Sequence, residues 1–215
     1  MKTTTEFEVE KPHELLLGFV RKEYELYDGV EVPQDNELRV VEISLSTMLN
    51  SRISGNTGGA IWLEARTHVE EALADIRPGV DLLDLPQGDS IPDEPGISRA
   101  VTAICDVHRA KISVATKILH KKRPGLIPIF DSVVEGHYWP RWCPTVKGRS
   151  WGDYAVALTR LVRRDMVSVA SELQDLRRAL AENGTPLSGC RILNALMWAV
   201  LSNNEEWYRG IAKQG

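Results

Sequence analysis

The chain has 215 residues with 43% apolar and 26% charged side chains, enough for a sizeable core in one large or two small domains of ordinary soluble composition. Its net charge of −4 argues mildly against indiscriminate polyanion binding, and no run of about 18 apolar residues or apolar leader predicts a membrane span or signal peptide. The cytoplasm is the expected compartment, and three cysteines fit reduced thiols better than a disulfide framework.

The charge is uneven. Residues 1–105 carry 9 Lys+Arg against 20 Asp+Glu, and residues 106–215 carry 17 against 10. The halves can attract each other, or the basic half can face phosphate. Residues 1–37 read as an acidic N-terminal arm, with a short helix or extended piece around Leu15-Leu16-Leu17. Residues 38–215 read as a single helical domain.

Between Leu38 and Asn50 the pattern fits a strand or a helix; without a partner strand elsewhere, a helix is predicted. The Gly- and Asn-rich SGNTGG stretch predicts a loop. It lacks the Lys-Ser/Thr of a nucleotide-binding loop. Residues 60–76 form an amphipathic helix with Ile61, Ala65, Val69, Ala72, Leu73 and Ile76 on one side, ended by Pro78-Gly79. A proline-rich acidic loop follows, and Pro95 starts a helix to about Val107.

Residues 96–139 form the expected centre, a hairpin-like core. Ile112, Ala115 and Leu119 share a helical face, and Pro124 and Pro128 forbid continuation of that helix. The chain then delivers Asp131 to the start of another helix, beside His120, Lys121, Lys122 and Arg123. Asp131 is either a helix cap beside a Ser132/Glu135 capping box or a carboxylate that stabilises developing positive charge.

Trp142 and Trp151, beside Arg141, Lys147 and Arg149, either stack on a base or anchor their loop on the core. Residues 153–182 predict one long helix whose arginines, Arg160, Arg163, Arg164, Arg177 and Arg178, lie off its apolar stripe, on a solvated face or against phosphate. Ser188 opens an all-round apolar helix, and residues 203–215 read as a capping turn. Cys105, His108, His137 and Cys143 could in principle hold zinc, but their spacing is unfamiliar and Cys105 falls on an apolar position, so neither metal nor cofactor is expected.

Two resemblances follow from these residues. The letters TKILHKKRPGLIPIFDS and SGCRILNALMWAV are similar to an uncharacterised bacterial domain family. The order helix, turn, helix, loop and Asp-Ser, with sixteen residues from Ala115 to Asp131, resembles the helix-hairpin-helix DNA glycosylases over about a sixth of the chain. That second resemblance implies a compact all-α multi-helix bundle, DNA as partner, and removal of a modified base by a monofunctional glycosylase with Asp131 as catalytic residue. Arg109, Lys111, Lys117, His120, Lys121, Lys122 and Arg123 would contact DNA, and Trp142 and Trp151 would stack on bases. Arg109 and Lys111 replace the hairpin glycines, Ser113 stands where bifunctional members carry a Schiff-base lysine, and Val133 follows where histidine is common. A noncatalytic nucleic-acid-binding module and a protein-interaction or regulatory domain are the alternatives.

Overall fold

Proline and serine punctuation combines with 3.6-residue apolar periodicity to give a chain of helices, as the computed structural model shows. It describes residues 1–23, 26–49, 51, 53–86, 90–139 and 149–212. Among these there is no strand, only an isolated antiparallel bridge between Lys2 and Glu8. The helices are α1 (Pro12–Glu23), α2 (Val40–Met48), α3 (Gly55–Ala60), α4 (Arg66–Ala74), α5 (Glu94–Cys105), α6 (Ile112–Lys122), α7 (Ser132–Tyr138), α8 (Trp151–Ser168), α9 (Ala170–Glu182), α10 (Gly189–Leu201) and α11 (Glu205–Ala212).

Helix α5 packs on α4, α6 and α8, while α10 meets α1, α7, α8 and α9. Helix α6 is buried nearly all round, including Ile112, Ala115, Ile118 and Leu119. So is α10, as its continuous apolar run predicts. The acidic segment before residue 37 contributes Phe7, Val9, Leu15, Leu16 and Phe19 to the same core. It is also tied down by a polar knot. The buried Asp165 carboxylate accepts from the Thr4 hydroxyl at 2.7 Å, Thr5 N–H at 2.9 Å, the Thr5 hydroxyl, and the Tyr138 phenol at 3.0 Å.

Three elements differ from expectation. The SGNTGG stretch is helical: Ser54 caps Thr57 N–H at 3.1 Å, and α3 runs through a π turn (Ile61–Ala65) into α4. Each glycine costs about 1 kcal/mol in a helix, which the cap and the buried stripe beyond it offset. The predicted helix over 153–182 is two, divided at Val169, where φ −128° and ψ 30° end α8. Val169 is buried, and the bend lets α9 lay Leu173, Leu176 and Leu180 against its own neighbours. The C-terminal capping turn contains α11, packed on α1 so closely that a Cβ at Gly18 would lie 1.8 Å from the Tyr208 carbonyl oxygen.

Candidate functional site

Asp131 is placed by its neighbours on both sides. Pro128 keeps residues 127–130 out of a helix. The Ile129 carbonyl accepts from Asn194 Nδ2 at 2.7 Å, and the Phe130 N–H donates to Thr116 Oγ1 at 3.0 Å. The backbone is thereby pinned between α6 and α10, and α7 begins two residues on, at Ser132. Asp131 itself is the N-cap: its Oδ1 accepts from Val133 N–H at 3.0 Å and Val134 N–H at 2.9 Å. Ser132 is therefore not the cap, and Glu135 does not close a capping box on it. Both bonds fall on Oδ1, so capping leaves Oδ2 for other work.

The half-buried Asp131 side chain lines a cleft of about 670 Å³. Lys111, Ile112 and Ser113 at the start of α6 form one wall, and Arg191, Asn194 and Trp198 of α10 another. Phe19, Met48, Leu49 and Ile129 supply apolar surface; Glu135 and Trp151 also line it. A volume in this range suits a base- or nucleoside-sized group.

Lys117 opens onto the same cleft and donates to the Leu49 carbonyl. Burial pushes its pKa down, Asp131 partly restores it, and Arg191 lowers it further. Arg191 is buried and grips Asp28 through two bonds of 2.7 and 2.8 Å, with Phe19 and Tyr27 rings 5.2 and 5.7 Å away. The half-buried Glu135 takes a 3.1 Å bond from the Tyr154 phenol. Burial raises its pKa and Asp131 adds to the rise, against the opposing effects of Tyr154 and Lys111.

The other expected cations have other duties. His120 is buried, its Nδ1–H donates to the Ile127 carbonyl at 2.7 Å, and burial lowers its pKa to about 4, so it is a neutral core residue. Lys121 donates to the Tyr27 and Val30 carbonyls at 3.0 and 2.7 Å. Lys122 is enclosed with Asp35, Glu42 and the Pro33 carbonyl at 2.6, 3.2 and 2.6 Å. Arg123 is 1% exposed and binds the carbonyls of Ile76, Leu73, Gln34 and Asp35. The expectation that His120, Lys122 and Arg123 face DNA is corrected: His120 is tied to the Ile127 carbonyl in the core, while Lys122 and Arg123 hold residues 33–36 against α2 and α4, where leaving a carbonyl or carboxylate unpaired would be costly. Among the long-helix arginines, Arg163 bonds the Ser90 and Pro86 carbonyls, Arg160 pairs with Glu94, and Arg177 pairs with Asp84.

Arg109 and Lys111 remain exposed on the α5–α6 turn. Arg109 has φ +69°, the left-handed conformation that glycine favours, so the turn keeps that geometry without glycine. Trp151 is exposed at the cleft and meets the Tyr154 ring edge-on at 6.3 Å; Trp142 lies outside the described residues. Cys143 also lies outside them, while Cys105 is buried with its thiol pushed up to about 12 by burial, and His137 bonds Thr5 at 3.0 Å.

Sequence reasoning passed over Glu135, Arg191, Asn194 and Trp198 as site residues. Arg191 and Asn194 did leave a signal, since polar groups within an apolar helix need internal partners. No curated protein and no solved structure matches the chain. A family model does match residues 18–200, and the chain therefore belongs to the family of unknown function DUF6308.

Proposed function

We propose that this protein binds DNA through the α5–α6 turn and removes a modified base as a monofunctional glycosylase of the helix-hairpin-helix type. The observation that carries this reading is Asp131 on the wall of a base-sized cleft, with Oδ1 used as cap and Oδ2 left over. An oxocarbenium-like sugar in the mouth of the cleft would be stabilised by that carboxylate. Support also comes from the left-handed Arg109 in the turn and from the aromatic surfaces of Phe19, Trp151 and Trp198. Arg109 and Lys111 supply the phosphate contacts in this reading, with Lys117 inside the cleft.

Duplexes carrying uracil, alkylated or oxidised bases, scored for abasic sites, test the activity. Asp131→Asn keeps a good capping side chain and should lower the excision rate by about 100-fold or more. Equal product from both proteins would remove Asp131 from the mechanism. A noncatalytic DNA-binding module is the second reading, favoured by the two capping bonds of Oδ1. It expects no abasic sites from any duplex and DNA affinity that survives Asp131→Asn.

A further inference from the structure

Asp131 does not stand alone on α7. Glu135 follows it by one helical turn, its N–H bonded to the Asp131 carbonyl at 2.8 Å, and both side chains line the cleft. Side chains four residues apart on a helix lie on one face, roughly 5–6 Å apart. Their surroundings differ. Asp131 takes two backbone N–H bonds at the positive end of α7. Glu135 is half-buried, with the Tyr154 phenol on Oε1, and Trp151, the ring partner of Tyr154, lines the same cleft.

The charged and titratable groups around Glu135 are Lys111 from the α5–α6 turn, Tyr154 from α8 and Asp131 from its own helix. Lys117 and Arg191 line other parts of the cleft. Burial, reinforced by Asp131, favours the protonated form of Glu135 against the pull of Tyr154 and Lys111. Two carboxyl groups in one cleft, held in unlike environments, are suited to unlike tasks.

We propose that Glu135 is the proton donor of this cleft, and that the bases it releases are neutral purines or pyrimidines, whose departure needs a proton, rather than alkylated bases that already carry positive charge. This inference rests on the base-excision reading of the cleft. In the step, the bond from the sugar C1′ to the base nitrogen breaks and its electron pair leaves with the base. The proton of the Glu135 carboxyl goes to the departing base. The cationic sugar is left against Asp131; water adds at C1′ and gives its proton to the Glu135 carboxylate, restoring the acid. The net reaction is hydrolysis, with water as the only co-reactant.

The test measures single-turnover excision by the full chain from duplexes differing only in one base, across pH 5 to 9. Uracil and hypoxanthine are the neutral substrates; 7-methylguanine and 3-methyladenine are the cationic ones. The wild type should release a neutral base at a rate that falls as pH rises and Glu135 loses its proton. Glu135→Gln should lower the neutral-to-cationic rate ratio about 100-fold and flatten the pH profile on the neutral base. Glu135→Asp should recover part of both, which a merely structural role would not require. If only neutral bases are released, the flattened profile and the aspartate recovery carry the test, and their absence overturns the proposal. Release of cationic bases alone overturns it as well. Equal losses on both classes in Glu135→Gln, with Asp131→Asn lowering both, would remove Glu135 as donor yet leave the base-excision reading standing. A wild type inactive on all four would overturn the donor and the base-excision reading together.

Discussion

At the residue scale, the basic run from His120 to Arg123 separates appearance from use. Four potentially cationic side chains beside an essential-looking acid suggest a phosphate track, yet only tertiary partners decide whether a cation faces water. Arg123 satisfies carbonyls from two separate segments, and Lys122 joins Asp35 and Glu42. Arg123→Ala should destabilise the fold by about 3–5 kcal/mol, read as a lower urea midpoint, because buried carbonyls lose their donor. Wild-type stability with weakened DNA binding would contradict this assignment. His120 gives a prediction in pH. Its imidazole titrates near 6.5 when unfolded and near 4 when folded, so below 6.5 the unfolded chain binds more protons. The stabilising contribution is complete above about pH 6.5 and declines as pH falls toward 4, by up to about 3 kcal/mol. Urea unfolding from pH 7 to 4 should show that loss, and His120→Gln should remove its share of the slope.

At the element scale, periodicity located the buried faces well and the ends of helices less well. The stripe Ile61, Ala65, Val69, Ala72, Leu73 and Ile76 is buried as its spacing predicts. The same pattern could not reveal the bend at Val169, since no proline or glycine marks it and the apolar spacing continues into α9. Nor could it reveal α3, whose glycines argue locally for a loop while Ser54 and the following helix recruit them. The crossing of α1 and α11 depends on Gly18 having no side chain. Gly18→Ala puts a methyl into the Tyr208 carbonyl and should cost about 1–3 kcal/mol through forced separation of the two helices. A urea midpoint equal to wild type would mean that the helices move apart freely.

At the scale of the whole molecule, part of the charge asymmetry is met by ion pairs between the two halves. Acidic residues before position 95 meet basic residues after 120 through Asp28–Arg191, Asp35–Lys122, Glu94–Arg160 and Asp84–Arg177. The attraction between halves that composition allowed is therefore a structural fact at these pairs. For the proposed DNA binding the consequence is quantitative. With Arg109 and Lys111 as the exposed cations of the α5–α6 turn, neutralisation of about two phosphates would give a log affinity against log salt slope near −2. Fluorescence anisotropy across a salt series measures it. A slope near −6, reduced by reversing Lys121 and Lys122 without loss of stability, would restore the broader basic track.

The amino-acid order by itself determined an all-helical chain, the faces that would be buried, and the delivery of one acid to a helix start by Pro128. These properties depend on spacing and local backbone chemistry, which neighbours in the chain supply. Only the tertiary structure decided that Asp131 shares its cleft with Glu135, Lys117, Arg191 and Trp198, and that Lys122 and Arg123 are internal ties. Such outcomes depend on partners far along the chain, 87 residues away for Lys122 and Asp35 and 163 for Arg191 and Asp28. Periodicity identifies the side of a helix that seeks burial, but the group that meets it there is chosen by the packing of the whole chain.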